Sequence, residues 1–204
     1  MKYLKFSLII IVACCFISCK EDQSSTINPL VKELFCFKTG STWNYEGIIY
    51  DKTMGTTLNV TLTVTTSSYQ ESQFEKHCDA KGRGHKYKEY ISYEIIAKNL
   101  MNQVFVSEIM ADECNLDNTA NAFITTPIGS TLSFYCDEEN NFNVSVQYEP
   151  TYMYKGNTYK EVYIFSYSNA LYYVSKNVGF IRCEKRYDTG NTTDIWLVSE
   201  NVIQ

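Results

Sequence analysis

Histidine is the scarcest reactive residue in this 204-residue chain: His77 and His85 are the two present, in one polar stretch with Cys78 and Asp79. Those residue types ligate metals, but His77, Cys78 and Asp79 are contiguous and His85 follows too far on for any standard zinc spacing. They read better as solvated loop residues, and no metal or cofactor is expected. A Ser–His–Asp triad would need one of the same two histidines, and no serine stands in a G-x-S-x-G turn. Gly82-Arg83-Gly84 lacks the strand before it and the helix after it that a dinucleotide loop requires. Asp112, Glu113 and Asp117 lack the glycine and the ligand spacing of an EF-hand. Glycoside hydrolysis needs only two carboxylates, and 23 acidic residues offer many pairs, none marked out by spacing. The expectation is a protein that is not an enzyme, with an envelope hydrolase as the minor alternative.

The cysteine with the clearest chemistry is Cys19. Lys2 and Lys5 make a basic start, Phe6–Ile17 is apolar, and Ser18-Cys19 precedes the polar run Lys20-Glu21-Asp22-Gln23-Ser24-Ser25. That order is a secretory signal ending at a lipid-attachment cysteine. The apolar run is shorter than the roughly 20 residues a spanning helix needs. Phe16-Ile17-Ser18-Cys19 resembles a lipobox, with Phe16 and Ile17 in place of the usual leucine and small residue. Cys14 and Cys15 would leave a shorter apolar run and no polar start, so Cys19 is the expected site. Acylation there adds palmitate-type chains, and multiple chains hold a protein to a membrane permanently. Lys20-Glu21-Asp22 resembles the export signal that sends Bacteroidota lipoproteins to the outer face of the outer membrane. The expected organisation is a signal peptide over 1–18, a lipidated flexible tether over 19–28 and a single β-rich domain over 29–204.

Without the signal and its two lysines, 16 basic residues face 23 acidic ones, a formal charge of −7 on 186 residues. Nothing is basic enough for nucleic acid. Of eight cysteines, five remain after Cys14, Cys15 and Cys19: Cys36, Cys78, Cys114, Cys136 and Cys183. An oxidising envelope permits disulfides, and the odd count leaves at least one thiol free. Cys114 with Cys136 is the candidate bridge, because they flank one connecting segment.

Period-two alternation dominates the elements that would position any site. Trp43, Tyr45 and Ile49 share one strand face, and Asp51–Gly55 supplies a turn into Leu58, Val60, Leu62 and Val64. Further strands are expected around Ile91–Ile95, Val104–Met110, Val162–Tyr167, Leu171–Val174, Phe180–Lys185 and Ile195–Val198. Leu132–Cys136 is expected to pair with Phe142–Tyr148 across the polar loop Asp137–Asn141. Pro29–Phe35 and Asp117–Phe123 suit short helical pieces, and Ser67–Lys86 and Asp112–Ser130 read as long loops. Nine or ten consecutive strands with short turns predict an antiparallel sheet, curved into a half-barrel or barrel.

Two stretches carry a family resemblance: Phe37–Gly47 (FKTGSTWNYEG), and Lys155–Phe165 through Leu171–Glu184 to Ile195–Ile203. They resemble a group of uncharacterised Bacteroidota lipoproteins with an early glycine and W-x-Y strand, a "tYkdVy" strand, a "yyvkgvGlIk" strand and a closing W-x-L. Asn177 stands where that pattern has glycine. The resemblance implies an outer-membrane lipoprotein with a curved antiparallel sheet, and no catalytic or ligand residue. Read as residues, Trp43 and Tyr45 share a strand face and belong in the core, and Gly156 and Gly179 supply backbone freedom.

Tyrosine is the last suggestive feature. Tyr148, Tyr152, Tyr154, Tyr159, Tyr163, Tyr167, Tyr172 and Tyr173 crowd the C-terminal third. Exposed tyrosines offer contact area at low entropy cost and suit protein, glycan or peptide partners; alternating ones also simply coat a sheet. The leading expectation is a non-enzymatic, lipid-anchored protein of the outer membrane and cell surface that binds a partner. The alternative is a carrier of lipid or another hydrophobic ligand in a hollow half-barrel.

Overall fold

The computed structural model describes residues 23–76, 86–98, 103–111 and 118–203. Cys19 and the expected signal, His77, His85, Cys78, Asp79, Gly82–Gly84, Asp112, Glu113, Cys114 and Asp117 lie outside the described residues. Among the described residues, twelve strands and one helix run in the order β1 (Gln23–Ser25), α1 (Pro29–Phe35), β2 (Thr42–Asp51), β3 (Thr56–Lys76), β4 (Lys86–Lys98), β5 (Gln103–Met110), β6 (Ala120–Thr125), β7 (Thr131–Cys136), β8 (Ser145–Tyr154), β9 (Asn157–Tyr167), β10 (Ala170–Ser175), β11 (Gly179–Arg186) and β12 (Thr192–Asn201). The sheet order is β7-β6-β5-β4-β3-β2-β12-β11-β10-β9-β8. Two antiparallel meanders, β2 to β7 and β8 to β12, are joined where β12 pairs with β2. The all-β, curved antiparallel half-barrel is therefore what the alternation predicted.

The curl is visible in the core contacts. Phe134 on β7 and Phe165 on β9 stand near opposite ends of the eleven-strand path, yet their ring centroids are 5.4 Å apart. Register shifts leave Ser67, Ile181 and Val198 as extra residues on β3, β11 and β12, and bulges of this kind bend the strand and increase local twist. The roll stops short of closure. Between β7 and β8 the two edges share one isolated bridge, Cys136 with Phe142. The expected pairing of Leu132–Cys136 with Phe142–Tyr148 is thus corrected: those strands pair instead with β6 and β9. The Asp137 carboxylate folds the link into a tight turn by accepting from the backbone N–H groups of Glu139 and Asn141.

The helix plugs the roll. Asn28 caps it by accepting from the Leu30 N–H, and Pro29 follows at the first helical turn. Val31, Leu34 and Phe35 lie one turn apart on one face and are fully buried. Phe35 packs on Phe134, Phe165 and Phe180 at 5.5, 5.8 and 5.7 Å, so one side chain joins β7, β9 and β11. Burying a phenylalanine contributes about 1.5–3 kcal/mol from transfer alone.

Trp43 and Tyr45 are buried as expected. The Trp43 Nε1–H donates to the Val178 carbonyl at 2.6 Å and the Tyr45 hydroxyl to the Phe180 carbonyl at 2.9 Å. The stretches that carry the family resemblance therefore meet in space. Gly179, at φ +91°, lies under Phe37 and Trp43, where a Cβ would stand 3.0 Å from the Phe37 ring. At the junction of the meanders a Cβ on Gly47 would come within 2.1 Å of Ile195.

Four other expectations need correction. Gln23–Ser25 is not free tether but a parallel strand on β4, and Ile27 and Asn28 are buried. Ser67–Lys76 continues β3 and pairs with β4 as far as Lys86; it lacks apolar alternation because this end of the ladder lies beyond the core. Ala120–Phe123 is strand, not helix: Ala120, Ala122 and Ile124 alternate inward, but alanine hides the signal. Leu58 points out at 61% exposure, because the β2–β3 turn overhangs the core that covers Leu62 and Val64. Cys136 is buried with its thiol free, and Cys114, the partner the sequence suggests for it, lies outside the described residues.

Candidate binding site

The tyrosines seen as one cluster in the sequence divide into three environments. Tyr172 belongs to the core, its hydroxyl 2.8 Å from that of Ser130, and Tyr167 packs half-buried against the core.

The second group clasps a strap. β10 pairs with β9 only over Val162–Tyr167, so Thr151–Lys160 of the β8–β9 hairpin runs on as a two-stranded ribbon. Pro150 and Glu161, the latter at φ +49°, sit where that ribbon leaves the sheet. The ribbon folds across the outer faces of β10, β11 and β12. Tyr152 packs 5.0 Å from Tyr173, Tyr154 stands edge-on to Trp196 at 6.2 Å, and the Tyr159 hydroxyl donates to the Leu197 carbonyl. Arg182 is the rivet. Its Nε–H and Nη2–H donate to the two Asp194 oxygens at 2.9 and 3.0 Å, Nη1–H donates to the Tyr152 hydroxyl, and the guanidinium lies 4.2 Å from the Tyr154 ring centroid. Bidentate and stacked at once, this is a geometry arginine offers and lysine does not. Burial opposes the Arg182 charge, but Asp194 and Tyr152 outweigh it and hold the guanidinium protonated. Burial and the bond to Asp194 push the Tyr154 phenol up to about 12.

The third group lines an open groove at the seam. Asn140, Asn141, Phe142, Val144, Val146, Tyr148 and Tyr163 enclose about 310 Å³. Tyr148 and Tyr163 pack at 5.1 Å with rings inclined at 54°, and neither hydroxyl has a hydrogen-bond partner among the described residues. Tyr148 is half exposed. The amides of Asn140 and Asn141 are already engaged, the first accepting from Asn28 and the second donating to Asp137. Val144, Val146 and Tyr148 alternate toward the groove beside the edge of β8, which among the described residues bonds to β9 alone. Pro150 is tolerated in β8 because this is an edge.

The remaining hollows offer less. The core pocket bounded by Phe35, Phe37, Trp43, Tyr45 and Phe180 holds about 30 Å³, of the order of one water. A 460 Å³ depression around Ser168, Asn169, Arg186 and Asp188 is wide open and polar, and Asn169 bonds Asp188 across it. Burial raises the Cys36 and Cys136 thiols to about 12 and Cys183 well above its usual value, so all three stay protonated and unreactive near neutrality.

The chain matches no family model, no curated protein and no solved structure. The groove's residues were partly legible, since Tyr148 and Tyr163 stood in the tyrosine cluster. Phe142 and the open edge were not, because both follow from β7 and β8 failing to pair.

Proposed function

We infer that this is a non-enzymatic lipoprotein, anchored through Cys19 to the outer membrane and exposed at the cell surface, that binds an extended segment of a partner protein at the seam of its half-barrel. The observation that carries the reading is the edge of β8, free among the described residues, beside a groove walled by Tyr148 and Tyr163, whose hydroxyls have no hydrogen-bond partner among those residues. An added strand gains main-chain hydrogen bonds along an open edge, while alternate side chains enter a groove that sets specificity. The 30 Å³ core pocket supports this reading over the carrier, because an acyl chain has no comparable room there.

The test is a photo-crosslinking amino acid at Tyr148, with Leu58 on the distant overhang as the control position. A discrete crosslinked protein from Tyr148 alone, lost in Tyr163→Ala, is the expected result. The same products from both positions would sink the reading. Anchoring is tested separately: Cys19→Ala is expected to leave the membrane fraction for the soluble one.

A further inference from the structure

We propose that the segment taken up at the seam is basic: an extended strand that alternates apolar residues with lysine or arginine, laid along Ser145–Glu149 of β8. The inference rests on the seam as the binding edge and names the chemistry of its partner. The strands of the seam come from a stretch without positive charge. Residues 99–154, which contain β5, β6, β7 and β8, hold eight acidic residues and no lysine or arginine. The rest of the chain without its signal is balanced, with 16 basic residues and 15 acidic ones. The carboxylates bracket the groove. At one end is the Asp137–Asn141 turn, where the Asn141 side-chain amide lies 3.0 Å from an Asp137 oxygen and 3.4 Å from a Glu139 oxygen. Glu138 beside them is exposed and has no partner among the described residues. At the other end Glu149 follows Tyr148 directly, and its carboxylate accepts from the neutral Gln147 amide, which leaves the charge uncompensated. Lys176, near enough to Tyr163 to act on its phenol, is bound by Glu33 at 2.9 Å and Glu161 at 3.6 Å and offsets none of these.

Alternation decides how the segment lies. Val146 and Tyr148 turn to the groove, and Gln147 and Glu149 to the other face. An added strand therefore lays one set of side chains on Val146 and the exposed ring of Tyr148. It sets the other opposite Gln147 and Glu149, where opposite charges across a ladder attract. Lysine and arginine also lay their aliphatic stems on tyrosine rings while the charged head reaches a carboxylate. The strap shows the same chemistry satisfied within the chain. Arg182 stacks at 4.2 Å on Tyr154 and 5.1 Å on Tyr173 while bonded to Asp194. The seam offers tyrosines and carboxylates in the same way, and the partner supplies the cation.

The experiment titrates the full chain, in a neutral detergent, into short fluorescent peptides that alternate valine with lysine, glutamine or glutamate, and reads binding by anisotropy. The lysine peptide is expected to bind about tenfold tighter than the glutamine peptide at low salt, with the advantage shrinking as salt is raised. The glutamate peptide is expected to bind most weakly. The variant E138Q/E139Q/E149Q is expected to lose the preference and keep its affinity for the glutamine peptide. E46Q/E94Q/E200Q, which removes the same charge from β2, β4 and β12, is expected to keep the preference. Tyr148→Ser is expected to weaken the lysine and glutamine peptides alike. Equal binding of those two peptides to the native protein overturns the basic partner and leaves the seam. A preference that survives E138Q/E139Q/E149Q, or that falls as much in E46Q/E94Q/E200Q, places the lysine peptide elsewhere and overturns the inference. Binding of no peptide, or binding that Tyr148→Ser leaves intact, overturns the seam as the binding edge and this inference with it.

Discussion

Single atoms decide several positions in this chain. Gly47 is the sharpest case: a methyl there would meet Ile195 at 2.1 Å and the Asp194 carbonyl at 2.8 Å. Overpacking of this kind costs about 1–3 kcal/mol, so Gly47→Ala is expected to lower the denaturant midpoint by that equivalent with m unchanged. Trp43→Phe keeps an aromatic side chain but removes the donor to the Val178 carbonyl and part of the buried ring system. An acceptor left unsatisfied costs about 1–3 kcal/mol, and Trp43→Phe is expected to fall in that range by the same measurement. The thiols give a native-state readout. Cys136 and Cys183 are fully buried with raised pKa values, so at pH 8 a thiol reagent is expected to modify them only as fast as the protein opens. Prompt labelling of either in the native protein would contradict that packing.

Among the elements, the β8–β9 strap stands apart, because polar contacts at one point hold it over the sheet. Asp194→Asn removes the bidentate carboxylate from Arg182 and the acceptor from Tyr154. Amide exchange is expected to rise in Thr151–Lys160 while the rest of the sheet keeps its protection. The strap also has an alkaline limit. The Tyr154 phenol is raised in the fold, from 10 to about 12, so its contribution is complete below pH 10 and is lost as pH climbs through about 12. The difference in phenolate absorbance between the native protein and Tyr154→Phe is expected to titrate near 12; a midpoint near 10 would mean the strap does not hold that phenol. The strap also accounts for tyrosines that the sequence presents as binding surface. Tyr152, Tyr154, Tyr159 and Tyr173 are spent on an internal contact, which no periodicity announces, because it depends on the ribbon turning at Pro150 and Glu161.

For the molecule as a whole, α1 and the seam are two consequences of one incomplete roll. The sheet curls far enough for β7 and β9 to share Phe35, and too little for β7 and β8 to pair. Phe35→Ala is expected to cost about 3–5 kcal/mol, with the earliest gain in amide exchange in β7 and β8, the edges it ties together. An unchanged melting temperature would show that the helix is not the plug. The half-barrel's character was written in the chain. Alternation at Trp43/Tyr45, Leu62/Val64 and Ile91/Tyr93/Ile95 encodes a buried face directly, because a strand's side-chain period is 2 whatever it packs against. Loop chemistry was equally local: Asn28-Pro29 starts the helix and Asp137–Asn141 makes its turn through short-range hydrogen bonds. Register, curl and closure are not local. They depend on bulges, on Ala120 and Ala122 passing as inward positions, and on which of several alternating strands Phe142 finds beside it. The groove between Tyr148 and Tyr163, the clasp at Arg182 and the placement of Gln23 against Lys86 exist only once those long-range pairings are made, since each joins residues whose proximity no spacing along the chain records.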